Sequence, residues 1–218
     1  MTKHFQRELK KTKRMILSLG TMVEARVRDT RDAIENFDAD IAAKIIKADY
    51  EIDEMEVEVE EECLKIMALH QPVAVDLRFL VAVIKINNDL ERIGDQAVNV
   101  AERIQTIHKQ DKSNFVFDYS EMAEKAEMML KMSLDALVNF DIDAALKVVV
   151  LDDDVDAIKK KAYQLIKVAI KENPDHVGYL INLLLISRHL ERMADHATNI
   201  AEEVVYLIEG EIVRHGNL

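Results

Sequence analysis

Turn-forming residues are scarce in this chain: five glycines and two prolines in 218 residues. That is too few for a many-stranded β protein. A single cysteine, Cys63, excludes an internal disulfide and points to a reducing compartment. No stretch approaches the roughly 18–20 uninterrupted apolar residues of a membrane span, and Tyr179 to Ile186 is far too short. The N-terminus is polar and lacks the apolar core of a signal peptide, so a cytoplasmic location is expected. Positive charge is in deficit, with 29 Lys and Arg against 41 Asp and Glu, a net −12. Such a surface repels phosphates, which argues against nucleic acid and anionic membrane as direct partners. The chain has no glycine-rich phosphate loop, no Gly-x-Ser-x-Gly and no Cys/His nucleophile pair. No catalytic activity is expected.

What is present is helical periodicity, almost from end to end. Hydrophobic residues make up 49 % and charged residues 32 %, a composition suited to long amphipathic helices. The first helix covers roughly Lys3 to Asn36 and breaks at Asn36-Phe37-Asp38-Ala39-Asp40, where Asn and Asp favour caps over interiors. A second runs to about Leu69, and a third from Pro72 to about His108, with proline tolerated at a first helical position. Gln110 to Ser120 reads as a linker, and Asp118-x-x-Glu121 as a capping box opening a fourth helix. Asn139-Phe140-Asp141-Ile142-Asp143 then repeats the earlier break at an offset of 103. A fifth helix reaches about Glu172, and Asn173-Pro174 opens a sixth. The expected fold is all-α: two tandem repeated antiparallel three-helix bundles built from six long helices. The expected boundaries are 1–110, a linker at 111–120, and 121–218.

One phrase occurs twice. Leu90-Glu-Arg-Ile-Gly-Asp-Gln-Ala-Val-Asn-Val-Ala-Glu102 returns as Leu190-Glu-Arg-Met-Ala-Asp-His-Ala-Thr-Asn-Ile-Ala-Glu202, offset by 100, with eight of thirteen positions identical. Internal repeats fix architecture. On a helix with Glu91 at zero, Glu102 falls near about 20°, Asp95 about 40°, Asn88 about 60° and Asn99 about 80°. Leu90, Ile93, Ala97, Val100 and Ala101 fall on the opposite side. The copy carries Glu191, Asp195, Asn199 and Glu202, with Arg188 in place of Asn88. The second helix adds an acidic i,i+4 pair, Asp49 and Asp53, and its copy adds Asp152 and Asp156. Glu56 and Glu60, beyond the first pair, become Lys159 and Tyr163, a replacement that a solvated face allows.

Two acidic pairs on adjacent antiparallel helices can converge on one patch. Without a cation, four carboxylates there would raise one another's pKa values. Oxygen-only ligands favour hard cations such as Mg²⁺, Ca²⁺, Mn²⁺ or ferric iron. No histidine shares the stripe; Gln96/His196 lies off it and reads as surface or packing, and Cys63, with no Cys or His at ligand spacing, reads as core.

These paired Asp-x-x-x-Asp and Glu-x-x-x-Asp runs, the Leu-Glu-Arg-Ile-Gly-Asp and Ala-Thr-Asn-Ile-Ala-Glu phrases and Pro72-Val-Ala-Val-Asp-Leu-Arg78 resemble the PhoU family of phosphate-uptake regulators. The resemblance implies two three-helix bundles side by side. It implies a multinuclear iron or zinc cluster (or Mn or Mg) in some members, with Asp49, Asp53, Glu91 and Asp95, then Asp152, Asp156, Glu191 and Asp195, as metal ligands. It also implies a homodimeric regulator acting with the ATPase subunit of the phosphate ABC transporter and with a sensor histidine kinase. Contact with the membrane would come only through those partners. Arg188, three residues from Glu191, departs from the first repeat and could supply positive charge to the second patch. Two other readings compete. One is a purely structural acidic adaptor without metal. The other is a carboxylate-bridged di-iron protein, disfavoured because no Glu-x-x-His occurs in the chain.

Overall fold

The computed structural model describes residues 3–111 and 113–210. Residues 1–2, Lys112 and residues 211–218, which the expected boundaries include, lie outside the described residues. Seven helices follow one another: α1 Lys3–Asn36, α2 Ala39–Lys47, α3 Tyr50–His70, α4 Val75–His108, α5 Ser120–Asn139, α6 Ile142–Glu172 and α7 Val177–Glu209. A short 3₁₀ turn, Pro174–His176, leads into α7. No strand occurs among the described residues, so the class is all-α as expected.

The duplicated breaks are built alike. Phe37 and Phe140 both take a left-handed backbone, with φ of 48° and 55°. Asp38 then caps α2 by accepting from the Asp40 and Ile41 backbone N–H, and Asp141 caps α6 through that of Ala144. Each satisfies backbone donors that a helix start leaves without partners. The proline turns differ from expectation. Gln71 and Ala74 have positive φ, which carries Pro72 outside α4, and Pro174 opens the 3₁₀ turn instead of α7 itself. Asp118 does not cap α5 as a box would. It accepts from the Ser120 N–H at 2.9 Å, and the helix begins at Ser120.

The second expected helix is two helices in the first half and one in the second. Arg26 on α1 explains the difference. Its buried guanidinium donates to the Ile45 and Ala48 carbonyls at 2.6 and 3.0 Å, drawing them away from the regular helical ladder. The chain turns at Ala48 and Asp49 before α3 resumes. At the offset of 103, Arg26 becomes Met129, which has nothing to donate, and α6 runs unbroken from Ile142 to Glu172.

Two contacts join the halves. α1 lies antiparallel on α5: Arg31 Nη1 reaches Glu127 Oε2 at 2.6 Å, and a Cβ on Gly20 would stand 3.0 Å from Leu134 Cδ2. α4 and α7 cross as the central pair, also antiparallel. Their cross-links run Lys85–Glu203, Asp89–His196, Gln96–His189 and Arg103–Asn182, one number rising as the other falls. Shifting by 100 turns Asp89–His196 into His189–Gln96, so these two contacts are one contact repeated about a pseudo-twofold axis. The apolar core, including Leu19, Val83, Ile93, Met129, Ile166 and Met193, runs unbroken through both halves. The connection between them is pinned into it. Phe117 and Tyr119 are buried, and the Tyr119 hydroxyl donates to the Leu183 carbonyl.

Arg26→Met should lower stability by about 1–3 kcal/mol, the usual worth of hydrogen bonds from a charged donor. A drop in the urea midpoint would show it; an unchanged midpoint would mean the two carbonyls need no guanidinium.

Candidate functional site

Packing places the acids. Ile52, Val59 and Ile66 turn the apolar stripe of α3 onto α4, and Gly94 lets it approach, since a Cβ there would lie 3.0 Å from Ile52 Cδ1. Asn87 sets the register by donating to the Glu56 carbonyl at 2.9 Å. Asp49, Asp53 and Glu56 then flank the seam on α3, while Glu91 and Asp95 flank it on α4. Like charge raises the pKa of Asp49 through Asp53, Asp95 and Glu102, after burial as the larger cause. Glu91 is likewise raised, first by burial and then by Asp95, Asp53 and Glu56. All four acids expected for the first patch therefore act on one another. The Glu91 side chain is only 22 % exposed, and its buried Oε2 has no hydrogen-bond partner. Arg92 stands 3.4 Å from that oxygen and 3.3 Å from Asp95 Oδ2, an ion pair at the solvent edge.

The second patch has the same frame and different charge. Asp152 accepts from the Thr198 hydroxyl at 3.3 Å, which offsets part of its upward shift from burial, Asp156 and Glu191. Asp195 opens to solvent at its tip, yet the surrounding protein displaces enough water to push its carboxyl up to about 6. Burial leads, and Glu191, Asp152 and Asp156 add to it. Here the cation is internal. Lys159 Nζ bonds Glu191 Oε1 and stands 3.5 Å from Asp156 Oδ1. Lys159 occupies the position of Glu56, so the patch exchanged an acid for an ammonium. Arg188, the expected source of positive charge, forms no ion pair among the described residues. It lines a groove of about 630 Å³ between α6 and α7, beside Lys160, Tyr163 and Arg192.

Sequence reasoning missed three residues here. Lys159 read as a solvated replacement, although its place one turn beyond Asp156 was the available signal. Arg92 belongs to the repeated phrase but bridges its own neighbours, which spacing alone does not distinguish from a free arginine. Asp89 sits between halves, 2.9 Å from His196 Nδ1 and 3.1 Å from Asn199 Nδ2, and no local pattern announces it. Its repeat mate His189 donates from Nδ1 to Gln96 Oε1 at 2.9 Å and is held down to about 4 by burial and by Arg103, Arg188 and Arg192. Cys63 is buried as expected, its thiol pushed up to about 12.

The first patch suits a hard cation: its donors are all carboxylate oxygens, and one of them is buried without a hydrogen bond. The second holds its own ammonium in that role. In neither patch, among the described residues, do three carboxylates bring oxygens within 4.8 Å of one another.

Two repeated helix pairs, each bearing an acidic patch, define a class of duplicated helical carboxylate-bearing proteins. The family model described as the PhoU domain matches twice, over residues 16–104 and 119–204. The chain belongs to the PhoU family. It is 36 % identical over 212 residues to the phosphate-specific transport system accessory protein PhoU homolog of Clostridium acetobutylicum, covering 97 % of each. It is 36 % identical to the homolog of Pseudomonas aeruginosa over 99 % of this chain and 89 % of that one. The crystal structure of the Pseudomonas aeruginosa PhoU superposes with a TM-score of 0.90, covering 95 % of this chain and all (100 %) of that one. That of the phosphate transport system regulatory protein PhoU from Streptococcus pneumoniae, 29 % identical, gives 0.84 over 97 % and 100 %. No described helix is long and apolar enough to cross a membrane.

The raised Asp195 has a measurable cost. A carboxyl with a folded pKa above its unfolded value binds protons more readily when folded. Its stabilisation is full below the ordinary value of 3.8 and is lost as pH climbs through about 6. In chelator-treated protein, Asp195→Asn should therefore melt higher than wild type at pH 7 and equally near pH 3.8. A lower melting temperature for the variant at pH 7 would contradict the crowding of this patch.

Proposed function

We propose that this chain regulates phosphate uptake as an accessory of a phosphate-specific transporter. Relatives of matching length bear that name, and two matched structures are of PhoU proteins. In the finer reading it is a cytoplasmic, homodimeric adaptor between the ATPase subunit of the phosphate ABC transporter and a sensor histidine kinase. It keeps phosphate-starvation genes off when phosphate is plentiful. No catalytic group is needed for this. Differential binding to the partners' two states suffices, and a few kcal/mol of preference shifts such an equilibrium. The net charge of −12 on stiff helical faces suits steering toward basic partner surfaces.

The observation that carries the metal part is the buried Oε2 of Glu91, which accepts no hydrogen bond, among Asp49, Asp53 and Asp95. These four would hold a cation such as iron, zinc, manganese or magnesium. Such a cation supplies positive charge that relieves their repulsion. Glu91, the most enclosed of the four, would anchor it, with Asp49, Asp53 and Asp95 as the further oxygen donors. Asp152, Asp156, Glu191 and Asp195 offer the same set, and there Lys159 must swing away first. Lys159 within the second patch also gives the metal-free adaptor its best support.

Elemental analysis separates the readings. Asp53→Ala with Asp95→Ala should remove most bound iron or manganese while leaving the fold intact, and Lys159→Glu should add up to one further equivalent of these metals. Iron and manganese near zero in wild type and in both variants would leave the metal-free adaptor. For regulation, deleting the gene should leave phosphate-starvation promoters active in phosphate-rich medium. Normal repression in the deletion strain would end the phosphate-signalling assignment.

A further inference from the structure

A second kind of metal site lies away from both acidic patches, where the start of α1 meets the end of α3. His4 and Glu8 stand one turn apart on α1, and His70 is the last residue of α3. The Glu8 carboxylate sits between the two rings: His4 Nε2 is 3.2 Å from Oε1, and His70 Nε2 is 2.6 Å from Oε2. Among the described residues this is the one group of three ligand-type side chains whose donor atoms all lie within 4.8 Å of one another. We propose that His4, Glu8 and His70 bind a zinc ion that staples the first turn of α1 to the last turn of α3.

The chemistry is specific. Two imidazole nitrogens and one carboxylate oxygen, with a fourth position left to water, are a familiar donor set for Zn²⁺. At bond lengths of about 2.0–2.1 Å, tetrahedral donors stand about 3.3–3.4 Å apart. His4 Nε2 stands 3.2 Å from Oε1 and His70 Nε2 2.6 Å from Oε2, so the two rings face different oxygens of one carboxylate. With one ligand atom from each residue within 4.8 Å of the others, small side-chain shifts at the two helix ends would bring all three onto one ion. Mixed nitrogen and oxygen ligands also select differently from the carboxylate patches, favouring zinc over magnesium or calcium.

Burial and charge support the assignment. Glu8 is only 7 % exposed, and a carboxylate so buried demands a positive partner. The nearest lysine on its face of α1, Lys11, is engaged 2.8 Å from Glu62, which Lys65 also approaches. Glu8 therefore meets two imidazoles, and among the described residues no lysine or arginine pairs with it. The buried Phe5 ring lies 5.1 Å from the His70 ring and backs it on the apolar side. His4 is 67 % exposed, so an ion can reach the site from solvent. The His4-x-x-x-Glu8 spacing is visible in the sequence, but His70 is 62 residues away, and only the fold supplies it.

The test uses the full chain stripped of metal at about pH 7.5, where imidazoles are mostly neutral. Co²⁺ should bind one equivalent with the strong visible absorption of a tetrahedral site, and Zn²⁺ should displace it. Carboxylate patches give cobalt only the weak absorption of octahedral oxygen coordination, so Asp53→Ala with Asp95→Ala should leave the band untouched. His4→Ala and His70→Ala should each abolish it and weaken zinc at least about 100-fold, since even outer-shell partners contribute about 10–100-fold. His4 is exposed, so His4→Ala leaves the core unaltered, which circular dichroism can verify. Absence of the tetrahedral band in wild type, or its full retention in His4→Ala, would overturn the proposal. Neither result touches the carboxylate-patch reading.

Discussion

The antiparallel crossing of α4 and α7 is the constraint on which the rest depends. Both helices are apolar along one side, with Ala97, Ala101, Ala197 and Ala201 fully buried, and small residues allow close backbone approach. The crossing is held in register by polar contacts that repeat about the pseudo-twofold axis, Asp89 with His196 and Gln96 with His189. Lys85 and the buried Glu203 add a charge pair. With one side of each helix committed to the core, the acidic stripe is left at the flank, where α3 or α6 comes down beside it. A shift of register in this pair would move both patches together.

Duplication preserved that frame and let its surroundings diverge. In the first half a buried arginine breaks the second helix just before Asp49, and glutamate follows the acidic pair at position 56. In the second half methionine replaces the arginine, the helix is unbroken, and Lys159 replaces the glutamate. The outcome is two patches on corresponding helices with unequal charge. One has four carboxylates with a single arginine at its rim. The other carries a lysine between Glu191 and Asp156. An ammonium at this distance stabilises carboxylates as a metal does, without specific coordination. The halves thus share a frame and differ in the charge each patch carries.

Much of this was legible in the sequence, for identifiable reasons. Helix spans follow from apolar periodicity, and the breaks at Asp38 and Asp141 follow from capping chemistry that acts within three residues. The repeated phrase marked α4 and α7, and its acids do meet those of α3 and α6. What escaped depends on residues far apart in the chain. The break at Ala48 is caused by a side chain 22 residues earlier. Lys159 looks like a surface lysine until Glu191 is placed beside it. The contacts of Asp89 and of His70 span 107 and 62 residues. Pro72 shows a local rule overruled, because the left-handed Gln71 and Ala74 delay the helix to Val75.

The central claim is that the two patches differ in their need for a cation because one carries its own. Anomalous diffraction at the iron and zinc absorption edges, from crystals grown without chelator, tests it most directly. A peak enclosed by Asp49, Asp53, Glu91 and Asp95, with Lys159 still on Glu191 and no peak in the second patch, is the expected result. Equal peaks in both patches, a peak in the second alone, or none in the first would contradict it.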